Sequence, residues 1–400
     1  MRFRLTSFVV FPLTLTATVL ASQTQTRPVT VPFELANRHI VLKARVNSSR
    51  PLSFILDTGA DQAIVMTTVA TELGLKTSGT VMVGGAGAGQ QAGALVQNAT
   101  WALDELKGFD QPVAMALPLM QLSTGMGQDI DGIVGTTFIK QFVLEVDYQT
   151  RTITFHNRDT FTYAGKGESI PIEFYRAHPT VSATVTSIGG QPITRRFVLD
   201  LGSSMALALH SPFVKENGLL GAQAKTVKLI GAGGAGGSVT GQVGRVESLQ
   251  IGSYQLSQVL TVFTEDTAGA FADPNLAGNI GMQVATRFKV FLDYSRNRII
   301  LEPSAAFRDP FGVASPGMAV RTEGDHHTFR VKEVLENSPA SDAGIKAGDL
   351  ITTVNGTPVG QLTLSKLIEM FEKPLTYELT IKRAGVEDDI RLRLTPRKIV

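Results

Sequence analysis

The chain has 400 residues, and 37 basic against 35 acidic residues give it a formal net charge of +2 at neutral pH. With acidic and basic residues nearly equal in number, we find no basic stripe of the kind that nucleic-acid-binding proteins present. We therefore predict no nucleic-acid partner. The absence of cysteine excludes disulfides, a thiolate nucleophile and cysteine-ligated metal sites. The six histidines show no ligand spacing, and we predict neither a metal site nor any other cofactor.

The N-terminal segment has the order of a targeting signal. Two arginines within the first four residues precede an apolar stretch over residues 8–20, and residues 19–21 offer a cleavage point at the small residue Ala21. This order is typical of a secretory signal peptide, which we predict over residues 1–21. The alternative is a membrane anchor, but the stretch is short for a bilayer span and is interrupted by Pro12. We therefore expect an exported protein, periplasmic or secreted, without a membrane span once the signal is cleaved.

A short apolar run that ends in an aspartate and a glycine-containing turn occurs twice. The first copy, residues 54–60, reads Phe-Ile-Leu-Asp-Thr-Gly-Ala and contains Asp57. The second copy, residues 197–203, reads Phe-Val-Leu-Asp-Leu-Gly-Ser and contains Asp200. The two aspartates are separated by about the length of one compact lobe. Two such lobes facing each other would bring the two carboxyl groups together.

The repetition extends well beyond the aspartates. Four more pairs of segments follow in the same order: the predicted short helices at residues 67–75 and 212–219, the glycine-rich runs at residues 83–89 and 230–237, residues 131–135 and 277–281, and residues 142–148 and 288–294. Matched segments in a constant order indicate that one ancestral lobe was duplicated and fused.

Both copies are predicted to be rich in β-structure. Runs of β-branched and aromatic residues, such as residues 40–46 and 152–155, alternate with turn residues, and segments with helical periodicity are few. We assign lobe one to residues 30–158 and lobe two to residues 169–303. The segment 163–168, which contains two glycines, would join them.

A third region, residues 315–398, follows a boundary that contains proline and glycine. Ser338 is suited to cap a short helix that begins at the following proline, and Gly344 is suited to end it. The pair Asn-Gly at residues 355–356 predicts a tight hairpin, and apolar residues at helical spacing predict a helix over residues 362–371. Strands are predicted at residues 329–334, 350–354, 377–383 and 389–394.

This third region resembles a PDZ domain of the bacterial protease-associated type, over residues 317–396. The segments that carry the resemblance are residues 337–340, 343–345, 347–351 and 354–356. It implies an α+β domain that binds an extended peptide, often a free C-terminus, between a sheet edge and the helix at residues 362–371. By position, the carboxylate-binding loop would consist of Gly317, Met318, Ala319 and Val320.

The repeated aspartates suggest acid–base chemistry. An isolated Asp-Thr-Gly is usually an ordinary turn, and it is the duplication that favours catalysis. Two carboxyl groups within hydrogen-bond distance in an apolar cleft cannot both ionise cheaply, so they share one proton. The ionised member takes a proton from a bound water, and the protonated member polarises a scissile carbonyl. Asp57 and Asp200 therefore form a candidate pair for hydrolysis.

The two lobes resemble the aspartic peptidases, in particular the retropepsin-like and pepsin-like enzymes. Residues 57–60 are the family motif Asp-Thr-Gly-Ala without change, and residues 133–135 match its second element. The resemblance implies two fused β-barrel lobes with Asp57 and Asp200 as catalytic residues. The residues that would support the active-site loops are Thr58, Gly59, Gly202 and Ser203. The glycine-rich runs would form flaps over the substrate, with the candidates Gly84, Gly85, Gly231 and Gly233.

Two positions of lobe two depart from the family pattern. Leu201 stands where the family has threonine or serine, so one arm of the hydrogen-bonded contact between the active-site loops cannot form. Asn279 replaces the first apolar residue of the second element. A lost buried hydroxyl contact costs on the order of 1 kcal/mol, which we expect the fused chain to tolerate. Displaced carboxyl groups, however, would lower turnover.

These patterns predict an exported aspartic endopeptidase that cleaves polypeptides, with a PDZ domain that recruits a peptide or C-terminal ligand or controls access. One alternative is a catalytically degenerate protease fold that acts as a PDZ peptide-binding module, which Leu201 and Asn279 favour. In another alternative, each lobe pairs with a second chain to build two sites.

Overall fold

The computed structural model describes residues 27–106, 111–223, 225–312 and 314–400. The predicted signal peptide lies outside these residues. Within them, no helix is both long enough and apolar enough to cross a membrane. The described chain is mainly β-structure, as predicted, and forms two lobes and a third domain.

Lobe one is built from short strands and three short helices. Its strands are β1 (Val29–Pro32), β2 (Glu34–Ala36), β3 (His39–Val46), β4 (Leu52–Leu56), β5 (Ala63–Met66), β6 (Lys76–Gly84), β7 (Gln90–Gln97), β8 (Thr100–Ala102), β9 (Gln111–Leu117), β10 (Gly132–Val134), β11 (Phe142–Asp147) and β12 (Thr152–Asn157). Its helices are α1 (Thr67–Glu72), α2 (Met120–Met126) and α3 (Thr136–Ile139).

Lobe two repeats this order of elements. Its strands are β13 (Glu168–Tyr175), β14 (His178–Thr186), β15 (Pro192–Leu199), β16 (Leu207–Leu209), β17 (Val227–Lys228), β18 (Gly233–Gly234), β19 (Gly237–Ser238), β20 (Gly241–Ile251), β21 (Tyr254–Thr264), β22 (Gly278–Ile280), β23 (Phe288–Asp293) and β24 (Arg298–Pro303). Its α-helices are α4 (Ser211–Glu216) and α5 (Met282–Ala285), and 3₁₀ turns lie at Ala270–Ala272, Tyr294–Arg296 and Ala305–Arg308.

One sheet joins the two lobes. It runs in the order β1-β12-β11-β23-β24-β13-β14-β15-β22-β16-β21-β20-β17. Near one end, β11 of lobe one lies antiparallel to β23 of lobe two, with Leu144 opposite Leu292 and Val146 opposite Val290. β11 and β23 are the two copies of one repeated segment. The pseudo-twofold axis that relates the two lobes therefore runs between these two strands.

A second large sheet belongs to lobe one, in the order β2-β3-β4-β10-β5-β9-β7-β6. All five residues of β4 are buried, and Phe54 packs edge-on against the fully buried Trp101 at 5.7 Å between ring centroids. On the parallel neighbour β10, a side chain at Gly132 would overlap the Phe54 ring and the Ile64 carbonyl. Close packing around β4 therefore fixes the strand that ends next to Asp57.

Two helices in the lobes are shorter than predicted. The helix expected over residues 67–75 is α1, and Gly74 follows it with φ +61°. The helix expected over residues 212–219 is α4, and Gly218 follows it with φ +60°. A glycine in the left-handed conformation ends a helix, and both copies of the sequence have a glycine at this point.

The third domain has its own core and sheet. Its strands are β25 (Met318–Thr322), β26 (Phe329–Val334), β27 (Leu350–Val354), β28 (Thr357–Pro358), β29 (Tyr377–Lys382) and β30 (Ile390–Leu394), and its helices are α6 (Pro339–Asp342) and α7 (Leu364–Phe371), with a 3₁₀ turn at Val359–Gln361. The sheet order is β25-β26-β27-β29-β30, with β28 beside β27, so β25 lies at an edge.

The predicted helix cap, helix end and hairpin turn of this domain are confirmed. Ser338 caps α6 by accepting from the Ser341 amide at 3.2 Å, and Gly344 follows with φ +79°. The Asn-Gly pair at residues 355–356 has two positive φ angles, of 50° and 78°, as a tight hairpin turn requires. The second helix begins two residues later than predicted because Thr363 is its N-cap.

Candidate active site

Each aspartate stands directly after the end of a buried strand. Asp57 follows β4, which lies parallel to β10, and its amide donates to the Val134 carbonyl at 3.0 Å. Asp200 follows β15, which lies parallel to β22, and its amide donates to the Ile280 carbonyl at 2.9 Å. In both lobes the second element of the repeat therefore holds the loop that carries the aspartate.

The two carboxyl groups converge on the glycines of the active-site loops. A methyl carbon built on Gly59 would lie 3.0 Å from Asp200 Oδ1 and 3.1 Å from Asp57 Oδ1, and one built on Gly202 would overlap the Asp57 carboxyl group. The glycine amides also serve the carboxyl groups. Gly59 N donates to Asp57 Oδ1 at 2.6 Å, and Gly202 N donates to Asp200 Oδ1 at 3.0 Å. A side chain at Gly202 would therefore displace the Asp57 carboxyl group, and one at Gly59 would crowd both carboxyl groups.

Burial raises the pKa of both carboxyl groups, and the like charge of the partner adds to the shift at Asp57. Burial, followed by the charge of Asp200, raises the pKa of Asp57 to about 7. Burial also raises the pKa of Asp200, while hydrogen bonds from Asn279 and Gly202 act in the opposite direction. Two carboxyl groups in this situation hold one proton between them, so the site contains one acid and one base at once.

One arm of the contact between the active-site loops is formed by Thr58. Its buried hydroxyl donates to the Leu199 carbonyl at 2.6 Å and accepts from the Leu201 amide at 2.8 Å. Leu201 is fully buried and has no hydroxyl, so the reciprocal arm does not form. One threonine side chain thus supplies both hydrogen bonds of this contact.

The backbone beyond each loop follows the same scheme in both lobes. The Ser203 carbonyl accepts from the Met282 amide at 2.8 Å, and the equivalent Ala60 carbonyl accepts from the Thr136 amide at 2.9 Å. These bonds attach each active-site loop to the short helix that follows the second element. Ser203 therefore supports its loop through the backbone.

Two polar side chains beside Asp200 were not predicted as site residues. Asn279 Nδ2 donates to Asp200 Oδ2 at 2.7 Å, and Asn279 Oδ1 lies 3.0 Å from Nε2 of the buried His210. In lobe one the equivalent positions hold the apolar residues Ile133 and Met66. Asn279 is therefore a partner of the carboxyl group rather than a lost support. The sequence indicated this role only by placing the polar Asn279 where the other copy has the apolar Ile133.

The glycine-rich runs form hairpin tips that meet at the cleft. The tip of lobe one, residues 85–89, joins β6 to β7, and the tip of lobe two, residues 235–236, joins β18 to β19. Gly89 N donates to the Gly236 carbonyl at 2.8 Å, and Gly236 N donates to the Ala86 carbonyl at 2.7 Å. The two tips are thus hydrogen-bonded across the boundary between the lobes.

All four glycines proposed for the flaps line the same cavity as the aspartates. Gly84 ends β6 and Gly85 follows it, while Gly233 begins β18. Gly231 lies outside the hairpin tip, and its amide donates to Glu333 of the third domain at 3.1 Å. Their role in substrate binding stays a prediction.

Replacing Gly87 by alanine is expected to lower kcat/KM for a polypeptide substrate. An added methyl group would lie 2.7 Å from the Gly236 backbone, and φ of +91° strains any other residue. The tips would separate and the cleft would close less well over substrate. Gly84→Ala is the matched control, because a methyl group there meets nothing within 4 Å. Equal kinetics of the two variants would contradict a closing role for the tips.

One cavity of about 960 Å³ contains the aspartates and extends to the third domain. There it reaches the groove between β25 and α7, where Met318, Val320 and Ile368 line it. The four residues predicted as a carboxylate-binding loop also line the cavity, but only Gly317, with φ +72°, lies outside a strand, because Met318, Ala319 and Val320 begin β25. Their role in binding a carboxylate stays a prediction. In the described part of the chain, no three histidine, aspartate or glutamate side chains are placed to hold a metal ion.

The third domain contacts both lobes around this cavity. Arg321 on β25 donates to the Gln121 carbonyl of lobe one at 3.3 Å and to the Gly231 carbonyl of lobe two at 2.9 Å. On α7, the Ser365 hydroxyl accepts from the Asn37 amide at 2.8 Å. The groove of the third domain is therefore held in a defined position relative to the cleft.

Comparison with known families matches residues 42–138 and 183–284 to the aspartyl protease family and residues 307–382 to the PDZ domain. These matches confirm the predicted fold class of two protease lobes and a PDZ domain.

Among curated proteins, 69 residues are 35% identical to a serine protease HTRA1 of Xenopus laevis, covering 17% of this chain and 14% of that protein. A further match, over 105 residues, is 24% identical to a carboxy-terminal-processing protease of Bartonella bacilliformis, covering 26% of this chain and 24% of that protein. The chain thus spans less than a quarter of the length of these curated relatives. Among solved structures, an aspartic proteinase from Irpex lacteus is 15% identical with a TM-score of 0.44, covering 70% of this chain and 98% of that one.

Proposed function

The chain belongs to the aspartyl protease family and carries a PDZ domain, and on this premise we propose that it is an exported aspartic endopeptidase. The observation that carries the proposal is the convergence of Asp57 and Asp200 on Gly59 and Gly202 at the wall of one cavity. The substrates would be polypeptides in extended conformation, which can run along a cavity that reaches from the aspartates to the third domain.

The mechanism follows from the shared proton. The ionised member of the pair would accept a proton from a water molecule held between the two carboxyl groups, and that water would attack the scissile carbonyl carbon. The protonated member would donate its hydrogen bond, and then its proton, to the carbonyl oxygen. The tetrahedral intermediate would collapse when the leaving nitrogen takes a proton from one carboxyl group while a hydroxyl of the intermediate returns a proton to the other. The pair then again holds one proton, as at the start. Each carboxyl group thus serves alternately as acid and base.

The direct test is cleavage of an unfolded protein mixture between about pH 3 and pH 8. We expect cleavage that a statine-type inhibitor blocks, because such compounds resemble the tetrahedral intermediate. A serine-directed covalent inhibitor, run beside it because one relative is named a serine protease, is expected to have no effect. Inhibition by the serine reagent alone would overturn the aspartic mechanism.

Leu201 favours the second candidate function, a peptide-binding module without catalysis. Its buried side chain leaves the contact between the loops with the single arm of Thr58. If this asymmetry displaced the carboxyl groups, the folded protein would bind peptides through the PDZ domain and cleave none at any pH. A binding assay with a labelled peptide, run in parallel with the cleavage assay, separates the two functions.

Export is supported by the order of basic, apolar and small residues over residues 1–21. We expect the mature protein to begin shortly after Ala21 and to appear in the periplasm or the medium. N-terminal sequencing of the protein from fractionated cells tests this. An intact N-terminus on a membrane-bound protein would instead favour the anchor.

The PDZ domain would recruit substrates by their C-termini, because its groove and the catalytic cleft share one cavity. β25 is an edge strand, so an extended peptide can add to it while its side chains meet α7. Arg321 ties that same strand to both lobes. A peptide bound in the groove would therefore continue toward the aspartates.

Two peptides of one sequence, with a free or an amidated C-terminus, test this recruitment. We expect a higher kcat/KM for the free form, and we expect Ile368→Glu to remove the difference because Ile368 lines the groove. The matched control is Lys366→Glu, which introduces the same side chain at an exposed position of the same helix. Equal cleavage of both peptides by the unaltered protein would contradict recruitment by the C-terminus.

A further inference from the structure

The surroundings of the two aspartates differ sharply, although the backbone around them is repeated. Asp200 is bound by Asn279, and Asn279 is bound in turn by His210. At the equivalent positions of lobe one, Asp57 has Ile133 and Met66. Only one member of the pair therefore has a polar side-chain relay behind it.

The hydrogen bonds of His210 define two self-consistent states. Its Nδ1 lies 3.2 Å from the Asp273 carbonyl, which can only accept, so Nδ1 carries a proton. Its Nε2 faces Asn279 Oδ1, also an acceptor, when Asn279 donates to Asp200. In this arrangement both ring nitrogens carry a proton, and the Asn279 donor together with the positive charge of His210 favours the ionised form of Asp200.

The other state has the Asn279 amide turned over. Its nitrogen then donates to a neutral Nε2 of His210, and its oxygen accepts a proton from Asp200. Nδ1 of His210 still donates to Asp273. Every polar atom of the relay is satisfied in this state too, but only if Asp200 is protonated. The orientation of one amide thus couples the protonation of His210 to that of Asp200.

We propose that His210 and Asn279 decide which of the two aspartates holds the shared proton. With His210 protonated, Asp57 holds the proton and Asp200 is the base. When His210 loses its proton to solvent, the amide turns over and the shared proton moves from Asp57 to Asp200, so the acid and base roles are exchanged. Asn279 and His210 are positioning residues in this scheme, and their effect on catalysis rests on the proposed function.

The titratable neighbours fit this coupling. His210 is 1% exposed, its ring packs edge-on against Phe271, and burial lowers its pKa while Asn279 and Asp273 oppose the shift. Asp273 also faces Arg176 at 3.8 Å, which offsets its charge. Two further histidines, His178 and His39, lower the pKa of Asp200 when charged. Asp200 is therefore the carboxyl group whose ionised form the surrounding histidines favour.

The test is the pKa of His210, read from its ring nitrogens by NMR in the full chain labelled at histidine. We expect Asp200→Asn to lower this pKa by about one unit or more, because a nearby negative charge is lost. Asp57→Asn makes the same chemical change on the other aspartate. It is expected to leave the pKa of His210 unchanged or raised, because Asp200 then stays ionised. The resonance is assigned by its loss in His210→Gln.

Asn279→Ile copies the residue of lobe one and is expected to reduce the shift that Asp200→Asn causes in the pKa of His210 to the smaller, direct effect of the lost charge. Equal shifts from the two aspartate variants, or none from either, would overturn the proposal. The measurement does not use activity, so the outcomes are separable. A protein that cleaves peptides without this coupling refutes the relay, and one that shows the coupling without cleavage refutes the peptidase.

Discussion

Replacing either aspartate of the pair by asparagine is expected to reduce kcat by about 10²–10⁴-fold, the range attributed to general acid–base catalysis. Asparagine has nearly the same shape, so the hydrogen bonds from Gly59 and Gly202 to the side-chain oxygen can remain. An amide, however, neither takes a proton from water nor donates an acidic one. Cleavage rates of an unfolded protein, with circular dichroism to verify folding, measure this effect.

Asp61→Asn is the matched control for these variants. Asp61 lines the same cavity but is exposed, and its carboxyl group accepts from the Thr137 hydroxyl at 3.1 Å. We expect this variant to retain its kcat. Unchanged activity of Asp57→Asn or of Asp200→Asn would show that the pair is not the acid and base of the reaction.

The same variant of Asp57 should change how stability depends on pH. The pKa of Asp57 is about 7 in the folded protein against an ordinary value of 3.8, so the folded state binds this proton more tightly than the unfolded state. Burial of the group therefore destabilises the protein increasingly as pH rises from about 4 to about 7. Asp57→Asn removes this titration. The melting temperature of the variant, measured relative to that of the unaltered protein, should therefore rise as the pH increases from about 4 to about 7.

Thr58→Val is expected to destabilise the protein by about 2–4 kcal/mol and to lower kcat/KM by about 100-fold. Valine has the shape of threonine but leaves the Leu199 carbonyl and the Leu201 amide without their partner in a buried interface. The two active-site loops would then be held together less firmly, and the carboxyl groups would be misplaced. Denaturant unfolding and steady-state kinetics measure the two effects.

Thr71→Val is the control for Thr58→Val, because the Thr71 hydroxyl is exposed and bonds only within its own helix, at 3.0 Å to Thr67. It is expected to change neither quantity appreciably. Comparable losses of stability and of kcat/KM in the two variants would contradict a particular role of the Thr58 hydrogen bonds between the loops. Leu201→Thr, which could add the missing arm, extends the comparison in the opposite direction.

Much of the fold was predictable because the repeated segments can be recognised from the sequence alone. The paired segments placed Asp57 and Asp200 at equivalent positions, and the second elements lie beside the strands that carry them. In the third domain, Ser338 and Gly344 marked the ends of a helix by residue types with a known backbone preference. Such signals are local or repeated, so a single sequence contains them.

The relay behind Asp200 was not predicted because it depends on contacts distant in the chain. His210 and Asn279 are 69 positions apart, and only the pairing of β16 with β22 brings them together. Each looked ordinary alone, one as a lone histidine and the other as a defect in a motif. The attachment of Arg321 to both lobes is of the same kind, since its partners are backbone carbonyls that any sequence would supply.

The pairing of β11 with β23 has an evolutionary consequence. An assembly of two identical chains imposes every substitution on both halves of its active site at once. Here the two halves meet along equivalent strands but are encoded separately, so lobe two can carry His210 and Asn279 while lobe one carries Met66 and Ile133. In the fused chain the surroundings of the two aspartates can therefore differ, and selection can act on the surroundings of one aspartate alone.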